Sequence, residues 1–113
     1  MEHYKNLHQL EQISDIQDLS STRPQIIYKH STTCPVNHAA KERIDGWLVG
    51  ITEEDLTKFD LYYLDLLSYR EVSNAIAHQW DVKHESPQIL IIQNGKCVYS
   101  ASHYDINPRE FPV

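Results

Sequence analysis

Of the two cysteines in this chain, Cys34 stands where a thiol ionises most readily. The run Lys29-His30-Ser31-Thr32-Thr33-Cys34-Pro35 passes from an apolar, β-branched segment into a helical pattern and sets the sulfur just ahead of the helix start. There, unpaired backbone N–H groups and the positive end of the helix dipole favour thiolate over thiol. A free thiol with a pKa of about 8.5 is only a few per cent ionised at neutral pH, whereas helix-terminus sites reach roughly 3.5 to 7.5. Pro35 suits the first helical turn, where its missing N–H leaves no bond unmade. The chemistry this predicts is nucleophilic attack on a disulfide. The competing reading is an inert packed cysteine, since a free cysteine is also a small hydrophobe.

A dithiol exchange protein needs its second thiol within a turn of the first, usually three residues on, and Asn37 holds that place. The other cysteine, Cys97, follows an Asn94-Gly95 turn and falls opposite about Ile92 on the preceding strand, while Pro87 at the start of that strand belongs near Cys34. Five residues of strand put the two sulfurs about 17 Å apart. A disulfide needs Cα atoms within about 7 Å, so Cys34 is expected to act alone or with an external thiol. His30, Cys34 and His38 recur every fourth residue, but His30 precedes the helix and Pro35 interrupts the helical spacing. With no Cys-x-x-Cys or His-Glu-x-x-His pattern beside them, no metal site is expected.

The elements that must position Cys34 follow from periodicity. Leu7, Leu10, Ile13, Ile16 and Leu19 form a helical stripe that ends at Ser20-Ser21-Thr22-Arg23-Pro24. Gln25 to Lys29 reads as a buried strand, and Val36, Ala40, Ile44, Trp47 and Leu48 as the apolar stripe of a long helix. Residues 51 to 58 form a connection in which Thr52 can cap one helical turn. Phe59 to Leu66 is a second strand, and Ser68 is placed to cap a helix with Tyr69, Val72, Ile76 and Trp80 on its apolar face. Gln88 to Gln93 and Lys96 to Ala101 are strands joined by the Asn94-Gly95 hairpin turn. The tail holds Pro108 and Pro112 and allows little more than a helical turn after Asn107.

This order predicts an α/β fold: two parallel strands joined by a right-handed helical crossover, then an antiparallel hairpin, in a four-stranded mixed sheet flanked by helices. That is a thioredoxin-like arrangement, and it returns Pro87 to the sheet end that carries Cys34. One domain over residues 1–113 suffices, large enough for a core without structural disulfides. The composition, 41% hydrophobic and 23% charged, is that of a globular protein with no membrane-length apolar run. With two cysteines and no signal-peptide pattern at Met1-Glu2-His3-Tyr4-Lys5-Asn6, the expected compartment is the cytoplasm. A formal charge of −6 argues against a nucleic-acid partner, and no membrane partner is expected.

Four motifs coincide with one family. Lys29 to Pro35, Val72-Ser73-Asn74, His84-Glu85-Ser86-Pro87-Gln88 and Ser102-His103-Tyr104-Asp105-Ile106 span about two thirds of the chain in order, and with them it resembles the monothiol bacilliredoxins of thioredoxin-like fold. Where that family usually has Ile-Ser after Cys-Pro, this chain has Val36-Asn37.

The resemblance implies that Cys34 removes bacillithiol from mixed disulfides on S-thiolated proteins, with bacillithiol as co-substrate and no bound cofactor. It also implies a cis bond before Pro87, leaving the backbone of Ser86 free for the incoming disulfide. Thr33 and the helix-start N–H groups are then expected to stabilise the thiolate, and Thr33, Pro35, Asn37, His38, Ser86 and Pro87 to line the substrate side. Glutaredoxins often carry a lysine three residues before the nucleophile; Ser31 stands there and argues against glutathione. His38, Lys41 and Lys29 are candidates to meet an anionic thiol, although each reads more readily as solvated surface. Two alternatives stay open: a thioredoxin-fold binding module without turnover, and a cluster-carrying protein, against which the sequence Cys34-Pro35-Val36-Asn37 speaks because it is not Cys-Gly-Phe-Ser.

Overall fold

A computed structural model describes residues 3–113. In chain order its elements are β1 (Lys5–Asn6), α1 (Glu11–Leu19), β2 (Gln25–His30), α2 (Pro35–Val49), α3 (Glu53–Leu56), β3 (Asp60–Asp65), α4 (Arg70–Trp80), β4 (Gln88–Gln93) and β5 (Lys96–Ser102). Short 3₁₀ turns follow at His103–Asp105 and Pro108–Glu110. The sheet has five strands in the order β1-β3-β2-β4-β5. β2 runs parallel to β3 and antiparallel to β4, with Lys29 opposite Gln88, so the start of β4 meets the end of β2.

The expected thioredoxin-like arrangement is therefore present, with one strand more than predicted. Lys5 and Asn6 pair in parallel with Tyr62 and Tyr63 at the β3 edge. Two exposed residues carry no alternating pattern, which is why periodicity missed them. The helical stripe accordingly starts later than expected. Leu7 is fully buried just after β1 and Leu10 is an exposed N-cap, so only Ile13, Ile16 and Leu19 lie on α1.

Every residue of β2 is buried, because helices cover both faces of the central strand. Ile27 faces a core shared with Ile13, Ile16, Val72, Ile76 and Trp80 of α1 and α4. Ile26 and Tyr28 face the opposite core, with Ala40, Ile44 and Leu48 of α2 and with Ile106 and Phe111 of the tail. Each fully buried Ile or Leu contributes roughly 1.5–3 kcal/mol of transfer free energy, so the two cores hold the sheet's ends in a defined place.

Of the two expected side-chain caps, Thr52 forms and Ser68 does not, while Asn107 adds a cap that was not expected. Thr52 accepts the N–H of Asp55 at 3.1 Å, and Asn107 accepts that of Arg109. Ser68 does not cap α4; the N-cap falls one residue later at Tyr69, and the Ser68 hydroxyl is drawn to Asp65 Oδ2 at 3.1 Å.

The hairpin turn follows its sequence signal, with Asn94 at φ 52° and Gly95 at φ 79°. A Cβ on Gly95 would stand 2.5 Å from Gln17 Nε2, and Gln17 Oε1 accepts the indole N–H of Trp80. Gly95→Ala is expected to cost about 1–2 kcal/mol from the left-handed backbone, plus the weakened Trp80 bond. Urea denaturation measures this; a change under about 0.5 kcal/mol would count against the strain.

Candidate functional site

The site forms where β2 ends and α2 begins. Cys34 is the N-cap of α2, extended at φ −118° and ψ 125°, with Pro35 at the first helical position. The backbone of Val36, then the side-chain amide and the backbone of Asn37, act on the sulfur from the helix start, while the Asn37 N–H itself donates to the Cys34 carbonyl at 3.0 Å and no side-chain capping bond forms. These groups hold the Cys34 thiol below the ordinary cysteine value. Cys97 is the opposite case: half-buried against the α1/α4 core, it has its thiol pushed up by burial. Both cysteines are free. Cys97 pairs with Ile92, which in turn faces Gln25 at the far end of β2 from Cys34.

Asn37 is 1% exposed and faces inward beneath Cys34. Its Oδ1 accepts the backbone N–H of Ser31 at 2.8 Å and the hydroxyl of Ser86 at 2.6 Å. Two donors on the oxygen settle the amide's orientation, and the NH₂ group is left for the sulfur. The same side chain thus ties the loop before Cys34 to the loop before β4. In that second loop the Ser86–Pro87 bond is cis, and the Pro87 carbonyl accepts the N–H of His103 at 3.0 Å.

The remaining residues expected at the site divide by exposure. Thr33, Pro35 and His38 are exposed, Ser86 is half-buried and Pro87 is buried. The Thr33 hydroxyl engages Ser31 Oγ at 3.1 Å and is not among the groups acting on the sulfur. His38 Nε2 lies 3.1 Å from the Thr32 carbonyl. Lys41 pairs with Asp45 at 2.8 Å. Lys29 departs from the surface reading altogether: it is fully buried.

Sequence reasoning did not find the support beneath Asn37. Tyr28 OH donates to the Asn37 carbonyl at 3.0 Å and lies 2.7 Å from His30 Nδ1. Because a carbonyl only accepts, the phenol proton serves Asn37, and His30 Nδ1–H donates to the phenol oxygen. His30 is 2% exposed, and burial lowers its pKa to about 4, with His38 and Lys41 adding to the shift. Alternation along β2 placed Tyr28 and His30 on one face, but only the path of α2 brings the Asn37 carbonyl to them. Among the described residues no group of His, Cys, Asp and Glu is arranged to hold a metal ion.

Two measurements test this geometry. Asn37→Ala removes one donor to the sulfur, so the alkylation rate of Cys34 against pH should move towards an ordinary thiol. The variant should also lose about 1–3 kcal/mol of stability from the unpaired Ser31 N–H. An unchanged alkylation profile would exclude Asn37 from thiolate stabilisation. His30 has a folded pKa below its unfolded value, so the stability it lends is complete above about pH 6.5 and is lost as the pH falls towards 4. His30→Gln should flatten that part of the stability curve; an equally steep fall in the variant would assign it to other groups.

Comparison with known proteins agrees with this geometry. A family model described as monothiol bacilliredoxin BrxC matches residues 5–111. A solved thioredoxin-fold protein, described as a candidate oxidoreductase, is 32% identical, superposes with a TM-score of 0.77, and is matched over 94% of this chain and 88% of its own. The thioredoxins of Malassezia sympodialis and Fasciola hepatica share the fold at 12% identity each, with TM-scores of 0.69 and 0.65. The first is matched over 90% of this chain and 80% of its own, the second over 87% and 85%. A lone activated cysteine on a thioredoxin fold, with asparagine where a second thiol would stand, accords with that match, and the chain belongs to the monothiol bacilliredoxin family of thiol oxidoreductases.

Proposed function

We propose that the protein removes bacillithiol from S-thiolated proteins, using Cys34 as its single nucleophile. The Cys34 thiolate attacks the bacillithiol sulfur of a protein mixed disulfide. A Cys34–bacillithiol disulfide forms, the old disulfide breaks, and the protein cysteine leaves as a thiolate that takes up a proton from water. A second bacillithiol thiolate then attacks the bacillithiol sulfur held on Cys34, releasing bacillithiol disulfide and restoring the Cys34 thiolate. Electrons balance without any resident cofactor: one disulfide is exchanged for another, the protein cysteine is reduced to the thiol, and the incoming bacillithiol is oxidised into the bacillithiol disulfide.

The observation that carries this reading is Asn37 in the place of a second thiol. Its side chain favours the Cys34 thiolate yet cannot resolve a mixed disulfide, so turnover calls for an external thiol. Ser86, bonded to Asn37 Oδ1, and the buried Pro87 that follows it are the groups we assign to docking the incoming disulfide. Pro35, Thr33 and His38 are exposed around the start of α2, where we expect them to meet the substrate. The partners are then S-thiolated proteins and a low-molecular-weight thiol, and the working compartment is the cytoplasm, where such thiols are kept reduced. Among the described residues no helix is long and apolar enough to cross a membrane.

The test is transfer of bacillithiol from a bacillithiolated protein, followed by intact mass. Cys34→Ser should abolish transfer and Cys97→Ser should retain it. Transfer that survives loss of Cys34 would exclude the mechanism. A Cys34 alkylation profile centred near pH 8.5 would favour a binding module over an enzyme.

A further inference from the structure

Lys29 has no part in the chemistry above, yet it is fully buried directly before the active loop. Its Nζ donates to the Ser73 carbonyl on α4 at 3.1 Å and lies 3.3 Å from His84 Nδ1, which is also 3.2 Å from Ser73 Oγ. No carboxylate pairs with Lys29 among the described residues. A buried amine held only by neutral partners is costly, and it persists where it positions something. His84 opens the loop His84-Glu85-Ser86-Pro87. It is exposed on its outer side and turns Nδ1 inward as the acceptor over Lys29.

We propose that Lys29, acting through Ser73 and His84, is the positioning residue for the substrate-docking loop at Ser86–Pro87. The inference rests on the function proposed above for that loop. Lys29 and Gln88 are paired across β2 and β4, so one end of the loop is held by the strand ladder and the other by the lysine. Tyr28, the preceding residue, points through the opposite face to hold Asn37. Neighbouring residues of β2 thus hold the two halves of the site from opposite faces of the sheet: the nucleophile from below α2, the docking loop from beside α4. Lys29 is not among the groups acting on the Cys34 sulfur, so the division can be read experimentally.

The charged groups facing His84 are Lys29 on β2, Arg70 on α4 and Glu85 in its own loop; burial first, and then the two cations, lower its pKa against the opposing pull of Glu85. Burial also lowers Lys29 to about 8, so at neutral pH it is an ammonium and His84 a neutral acceptor. Acidification protonates His84, removes the acceptor, and sets two cations 3.3 Å apart.

The experiment compares Lys29→Met, His84→Leu and His84→Asn with wild type. Methionine fills the buried volume without a charge, so the fold should persist, which thermal melting checks. Lys29→Met and His84→Leu should raise KM for a bacillithiolated protein roughly tenfold, with kcat within about twofold, as expected for a displaced docking loop. Their Cys34 alkylation profiles should overlay that of wild type. His84→Asn keeps a side-chain acceptor near the Nδ1 position and should keep a wild-type KM, while losing the rise in KM expected of wild type on acidification. An unchanged KM in Lys29→Met, or a Cys34 profile that moves with it, overturns the proposal. If wild type transfers no bacillithiol, the proposed function falls, and hydrogen exchange of the His103 amide, bonded to Pro87, decides the positioning role alone. Faster exchange in Lys29→Met upholds it and equal exchange overturns it.

Discussion

The structure of the site depends on how one buried amide is oriented. Asn37 Oδ1 takes two donors, from Ser31 before the nucleophile and from Ser86 before the cis-proline. With its oxygen committed, its nitrogen can only donate, and it favours the thiolate of Cys34. A cysteine at this position would offer a second thiol for internal resolution, and a serine one hydroxyl, which can donate only a single hydrogen bond. Asparagine spans all three groups at once. It ties the loop at Ser31 to the loop at Ser86, which lies 49 residues beyond Asn37 itself, and favours the thiolate between them.

This tie needs a rigid base, and β2 supplies it. The strand is central, parallel to β3 on one side and antiparallel to β4 on the other, and buried along its whole length. Its four polar residues each have a hydrogen-bond partner, His30 at Tyr28 within the strand and the others on neighbouring segments. Gln25 joins Asp60 and Tyr62 at the far end, Tyr28 and His30 meet the turn of α2, and Lys29 meets α4 and His84. Polar groups buried in this way add little net stability but penalise any other arrangement, because each would then lack its partner. The site's geometry is set by that penalty as much as by the two hydrophobic cores.

The sequence signals that were legible are those with a local physical cause. Pro35 marks a helix start because its ring suits only the first turn. Asn94-Gly95 marks a hairpin because both residues accept positive φ, and Thr52 caps because its hydroxyl reaches the third N–H. β1 was illegible because two residues have no period, and it owes its place to the free edge of β3. At the start of α4, Asp65 competes for the Ser68 hydroxyl, and nothing in the order Asp-Leu-Leu-Ser announces that contest.

By itself the sequence determined that Cys34 stands at a helix N-terminus, that Asn37 leaves it without a partner thiol, and that Cys97 lies too far along the sheet to replace one. Spacing along single elements is enough for each of these. Only the tertiary structure decided that Asn37 turns inward with its amide pinned by Ser31 and Ser86, and that Lys29 is buried rather than solvated. It also decided that Tyr28 and Lys29 reach opposite layers. Those outcomes depend on which loops the sheet order brings together, and hydrogen-bond partners from distant segments leave no mark in the local pattern of either one.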